Sequence, residues 1–422
     1  MKKFDRDLIQ KNYENARSVY KSFGVDTDVV LKAAADVKIS LHCWQGDDVT
    51  GFEKVTAATQ NVVTGNFPGR ARNGDELRAD IDKVLSMSPV SHKVNLHSIY
   101  AECAPGVTRG RDSYTAEDFS KWIDWTKKSG YGLDYNMSFF AHEMMDNGMS
   151  LASPDKKTRD FWIRAGKSAR EISNEMGKAT GQVCIHNIWI PDGLKDNPAD
   201  RASFRSYLSD SLAQIFEKPF DRKNTVDVLE GKLFGIGTEC FVVGSHEYYM
   251  LYAQKFGKGI CLDTGHYHPT ETVIDKLGVV TQFIPDVLLH ISRGIRWDSD
   301  HAVIFDDNLT GVMCEIKRLG LYGKIHIGLD YFDASINRVG AWTVGLRAAG
   351  KAVVLSLLEP TELLFKAEQD GDYTARLALA DEFKTLPFAA VWDKLCMDKN
   401  APVGAEWLDE LKIYWDSVQS KR

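Results

Sequence analysis

The chain has 422 residues, with 44% hydrophobic and 26% charged side chains and a net charge of −7. That is enough for one large α/β barrel with additions, or for two to three ordinary domains. An acidic balance without a basic stripe argues against nucleic acid or an anionic membrane as partner. No run of about 18 apolar residues suggests a membrane span. The seven cysteines are odd in number and lack a CxxC pair, so they read as reduced core thiols of a cytoplasmic protein.

Residues 1–36 read as an N-terminal helical segment, amphipathic rather than signal-like. Eight strand-like runs follow, at 37–44, 93–102, 131–139, 182–190, 225–235, 258–268, 286–294 and 324–333. β-Branched and aromatic residues dominate them, and polar residues cluster at their C-terminal ends. Between them lie stretches with apolar residues at three- and four-residue spacing. Thr115 with Asp118, and Ser153-Pro154, mark two helix starts. Eightfold strand–helix alternation predicts an α/β fold, a closed (β/α)8 TIM barrel over 37–358. The Gly235, Gly237 pair lacks the third glycine of a dinucleotide fingerprint and reads as structural. Residues 359–422 form a C-terminal helical extension whose stripe of Trp407, Leu408, Leu411, Tyr414 and Trp415 needs a surface, its own barrel or a neighbouring subunit.

In such a barrel the strand C-terminal ends build the active site. Here they carry Glu230 with Lys232, Asp263 with His266, His290, the pair Asp298 and Asp300, and Asp330. Each has a bland reading alone: an ion pair, a helix cap, a core histidine, a surface turn. Together they deliver oxygen and nitrogen ligands at one architectural level, which points to two divalent cations, hard to borderline: Mn²⁺, Mg²⁺ or Co²⁺, with Zn²⁺ also fitting. Two carboxylates as close as Asp298 and Asp300 repel unless a cation lies between them. The other half of the rim is aromatic and histidine-rich, with His42, Trp44, His97, His186 and Trp189. Indole walls and imidazoles suit a sugar, with Trp44 and Trp189 as substrate-binding candidates. A phosphoesterase or nuclease, a sugar epimerase and a non-catalytic sugar-binding protein are the competing readings.

The strings SLHCWQGDDV, KLFGIG, LDTGHYHPTE, RWDSDHAV and HIGLDYFDASINR closely resemble the bacterial L-rhamnose isomerase family, with similarity through most of the chain. That family shares with xylose-isomerase-like barrels the order Glu-x-Lys, acid-x-x-His, acid or His, Asp-x-Asp, Asp. The resemblance implies a Mn²⁺-dependent aldose–ketose isomerase converting L-rhamnose and related aldoses to ketoses, in a cytoplasmic homotetramer. It further implies one metal held by Glu230, Asp263, His290 and Asp330, and another by His266, Asp298 and Asp300, with Asp263 as the residue they could share. Lys232 is expected beside the carbonyl oxygen, where negative charge develops as hydrogen moves between C1 and C2. His97, oriented by Asp333, is expected to open the sugar ring.

Overall fold

The computed structural model describes residues 3–53, 65–233, 240–268, 270–295 and 297–422, with Trp297, Asp298 and Ser299 described by their backbone alone. Gly235, Gly237 and the side chain of Asp298 therefore lie outside the described residues.

Eight parallel strands close into a barrel. They are β1 (Lys38–His42), β2 (Ser91–His97), β3 (Gly132–Asn136), β4 (Cys184–Ile188), β5 (Thr225–Glu230), β6 (Gly259–Asp263), β7 (Val287–Ile291) and β8 (Ile325–Leu329). Their order around the barrel is β1-β8-β7-β6-β5-β4-β3-β2, the closed (β/α)8 architecture expected from the alternation. Each expected run holds one strand, but most run past it at the C-terminal end. Among the described residues of these overruns, polar and aromatic side chains mix where the chain leaves the ladder for the rim loops.

Side-chain alternation along the strands gives the barrel two contrasting halves. Beneath the rim of β4 to β7 lies a small apolar cluster of Ile185, Val226, Val228, Cys261 and Leu288, separate from the main core. Beneath β1 to β3 the filling is polar: Lys93 and Ser40 meet Asp134.

Helices surround the strands. Arg6–Ser22 and Thr27–Asp36 precede β1, and the first packs against Phe388–Asp398 of the C-terminal extension. Thr115 and Asp118 form the expected capping box. The start expected at Pro154 shifts to Lys156, because Asp155, not Ser153, caps the amides of Lys157 and Thr158. Helix Arg338–Leu358 is long and apolar enough to cross a membrane. Most of it is buried, and it packs against β1 and Phe388–Asp398, as the central helix of a packed core does. The aromatic stripe of the extension divides. Trp407, Leu411 and Tyr414 pack on the chain's own core, Trp415 meets Phe67 edge-on at 5.2 Å, and Leu408 stays exposed. Tyr414 donates to Asp80 at 2.7 Å, and the guanidinium of Arg422 pairs with the same carboxylate. These contacts tie the tail to helix Gly74–Ser86.

Candidate metal centre

Glu230 ends β5, Asp263 ends β6, His290 is the penultimate residue of β7 and Asp330 follows β8. The strands carrying them are neighbours, so four residues spread over a hundred positions meet at one side of the rim. One ligand atom from each of Glu230, Asp263, His290 and Asp330 lies within 4.8 Å of all the others. His290 Nδ1 is 3.3 Å from Glu230 Oε2, 3.3 Å from Asp330 Oδ2 and 4.0 Å from Asp263 Oδ2. His266 joins them, with Nδ1 3.3 Å from Glu230 Oε1 and Nε2 3.7 Å from Asp263 Oδ2.

The electrostatics call for positive charge at this point. Burial works against ionisation of Glu230, yet His290 and His266 beside it hold its pKa below the usual value. Asp330, also opposed by burial, is pulled down to about 2 by His290. Burial would drive the proton off His290, but the Glu230 and Asp330 carboxylates beside it raise its pKa well above the ordinary histidine value. Three carboxylates around one imidazole are tolerable only with a cation among them. Neither ring nitrogen of His290 makes a well-formed hydrogen bond, although both are buried. The donor set therefore fits a divalent ion. Cys261 forms a second group with Glu230 and His290 within the same 4.8 Å limit. Burial pushes its thiol far up, which keeps it protonated and leaves the harder oxygen and nitrogen donors as the better ligands.

Several neighbours hold these ligands in place. Asn187 of β4 donates its amide to Glu230 Oε2. Trp44 Nε1 donates to Asp330 Oδ1 at 3.1 Å, so this expected sugar wall also grips a ligand. His266 Nδ1 lies 3.3 Å from the Gly231 carbonyl. Gly231 must remain glycine, since a Cβ there would fall 2.8 Å from His246 Cα.

The remaining expected residues fall around this cluster. β5 stops at Glu230, so Lys232 sits in the turn beyond it rather than on the strand, with Nζ 5.1 Å from the Trp189 ring centre. Asp298 and Asp300 lie on the second arm of an antiparallel hairpin, Arg293–Ile295 with Trp297–His301. Asp300 has φ 42°, a left-handed conformation that aspartate tolerates better than most residues. Its carbonyl accepts from the Phe332 amide at 3.1 Å, which joins the hairpin to the segment after Asp330. His97 is buried under the edge of Trp44 at 4.4 Å, and burial lowers its pKa to about 3, so it is neutral. The structure gives it two other partners than Asp333: Ser138 Oγ at 3.0 Å and Asn136 Nδ2 at 3.3 Å. Asp333 Oδ1 instead accepts from the Ser335 amide and hydroxyl.

His186 leaves the rim altogether. It points outward from β4 and meets Asp227 at 3.0 Å, beside Arg170 of helix Lys156–Thr180. On a strand a one-residue change of register reverses the face, and it is Asn187, passed over in the sequence, that points inward. Asn136 on the neighbouring β3 and Asn95 on β2 beyond it are the available hint.

A profile of the L-rhamnose isomerase (RhaA) family matches residues 7–422. The chain is 50% identical to L-rhamnose isomerase of Rhodopirellula baltica, over 98% of this chain and 97% of that protein. It is 46% identical to the Lactiplantibacillus plantarum enzyme, covering 99% and 97% of the two chains, and 44% identical to that of Salmonella typhimurium, covering 98% and 99%. Among solved structures, an L-ribulose 3-epimerase aligns at a TM-score of 0.50 with 10% identity, over 78% of this chain and 97% of that one. This last likeness reflects the barrel alone.

Proposed function

This chain belongs to the L-rhamnose isomerase family and is an isomerase, and from that premise we propose that it converts L-rhamnose to L-rhamnulose with the help of divalent cations, Mn²⁺ foremost. Glu230, Asp263, His290 and Asp330 would hold one ion, and His266, Asp298 and Asp300 a second. When bound, such ions polarise sugar oxygens and neutralise charge building on them. The observation that carries this reading is the group of three carboxylates and one imidazole, three of the four residues buried, whose ligand atoms lie within 4.8 Å of one another.

In the conversion the hydrogen on C2 moves to C1, while O2 loses a proton and O1 gains one. Lys232 brings an ammonium to the rim and stabilises the oxygen on which negative charge develops. Trp189 lies beneath that ammonium and keeps one side of it away from water. His97, neutral and buried, can take a proton from the ring hydroxyl of the closed sugar and return it to the ring oxygen. The Asn136 and Ser138 contacts fix the plane of its ring. Trp44 closes the wall between His97 and Asp330. We place the enzyme in the cytoplasm, in keeping with its seven free cysteines, and, as its family resemblance implies, as a homotetramer.

Dialysis against a chelator, followed by Mn²⁺ add-back and an assay for ketose formed from L-rhamnose, tests the proposal. Activity should vanish and then return. Full turnover by metal-free protein would refute the metal reading, and no ketose with any divalent ion would refute the substrate.

A further inference from the structure

Asp263 stands where the two proposed centres meet. Its Oδ2 lies 3.7 Å from His266 Nε2 and 4.0 Å from His290 Nδ1. The other oxygen is turned away and held. Oδ1 accepts from Ser292 Oγ at 2.7 Å and from the Gly265 amide at 2.7 Å.

Ser292 is itself clamped. Its amide donates to Thr264 Oγ1 at 2.9 Å, and the Thr264 hydroxyl donates back to the Ser292 carbonyl at 2.7 Å. The Thr264 amide donates to the His290 carbonyl at 2.9 Å. This clasp joins the turn after β6, which carries Asp263 and His266, to the end of β7. Ser292 is also the residue between His290's strand and the hairpin bearing Asp298 and Asp300. It is buried, so bulk water does not compete for its hydroxyl.

A carboxylate with both oxygens free can swing about its last torsion and offer either one to a cation. Two donors on Oδ1 fix its plane and leave Oδ2 as the inward-facing atom. Resting on the divalent-metal reading above, we propose that Ser292 is a positioning residue, which fixes the Asp263 carboxylate and thereby sets the affinity of the centre for its ions. The backbone clasp with Thr264 aims the hydroxyl before any ion arrives.

The test is Mn²⁺ titration of the metal-stripped full chain, with free Mn²⁺ read by its EPR signal. Ser292→Ala should raise the Kd roughly 10- to 100-fold, as loss of a partner behind a ligand does. Ser292→Thr, which keeps the hydroxyl, should restore most of that loss. At saturating Mn²⁺ the KM for L-rhamnose of Ser292→Ala should stay unchanged, because Ser292 supports the ion and not the sugar. If Ser292→Ala does not fold, Thr264→Val must weaken Mn²⁺ binding in its place. Unaltered affinity in Ser292→Ala, or no rescue by threonine, overturns the proposal. Asp263→Ala separates the two failures. If it abolishes binding while Ser292→Ala does not, positioning alone falls; if neither affects binding, the metal reading falls as well.

Discussion

The two ends of the barrel interior use the same residue types to opposite purposes. In the lower part, Asp134 accepts from Lys93 Nζ at 2.5 Å, Ser40 Oγ at 2.6 Å and the Ile185 amide at 2.8 Å. A carboxylate so supplied has no need of an ion. Just outside the strands Asp227 is equally well served, by Arg170 and His186. At the rim, three carboxylates crowd two imidazoles, and no lysine or arginine pairs with them as Lys93 pairs with Asp134 among the described contacts. A buried acid thus speaks for structure or for chemistry according to how its donors are supplied, not according to its burial. The apolar cluster of Val228, Cys261 and Leu288 beneath the rim adds to the contrast by keeping water from relieving the shortage from below.

Substitutions at each end should give opposite signatures. Glu230→Ala should lose bound divalent ion and at least roughly 10³-fold in turnover, about 4 kcal/mol of barrier; ion content by atomic emission and an L-rhamnose assay check both. Turnover close to that of the unaltered chain would erase the distinction. At the lower end, Asp134→Ala strands the Lys93 ammonium and should cost about 3–5 kcal/mol of folding stability, with Mn²⁺ affinity untouched. Replacing both partners with apolar residues should recover most of that, and urea unfolding of the single and double variants shows whether it does. Lys232→Met should keep its ions yet turn over roughly 10²-fold more slowly, as when an oxyanion donor is removed. Equal rates would take Lys232 out of the reaction.

The smallest effect concerns a third kind of buried acid, one whose described hydrogen-bond donors are neutral. Asp47 accepts from Tyr100 at 2.5 Å and from the Gly51 amide at 2.8 Å, and burial raises its pKa from 3.8 to about 7. The folded chain then keeps a proton that the unfolded chain has released. Its contribution to stability is complete below pH 3.8 and declines as pH rises through about 7. Between pH 5 and 8 the Tm of the unaltered protein should drop by about 2–4 °C more than that of Asp47→Asn. Parallel curves would show that Asp47 does not titrate in this range.

Much of this was readable in advance, because the signals are local. Runs such as VLLHI and IHIGL can only be buried strands, and eight of them with helices between leave few closed arrangements. The acids and histidines at Glu230, Asp263, His290 and Asp330 are visible as breaks in apolar patterns. The length of a strand is less visible, since pairing and not residue type decides where the ladder ends. Lys232 accordingly fell in a turn, and Asp298 and Asp300 on a hairpin arm. Face was harder still: His186 and Asn187 differ by one position, and only the register of β4 against β5 shows which points inward.

By itself, then, the sequence determined the barrel, the group of residues at its rim and the family, since each follows from residue types at short spacing. The tertiary structure alone decided which carboxylates are satisfied and which lack positive charge. Asp134, in the middle of its strand, and Asp263, at the end of its own, are the same residue type on similar five-residue strands, and they differ in what faces them. Lys93 lies 41 positions from the one, and Ser292 lies 29 positions from the other. Such partners are brought into hydrogen-bonding range by chain closure, which no local pattern encodes.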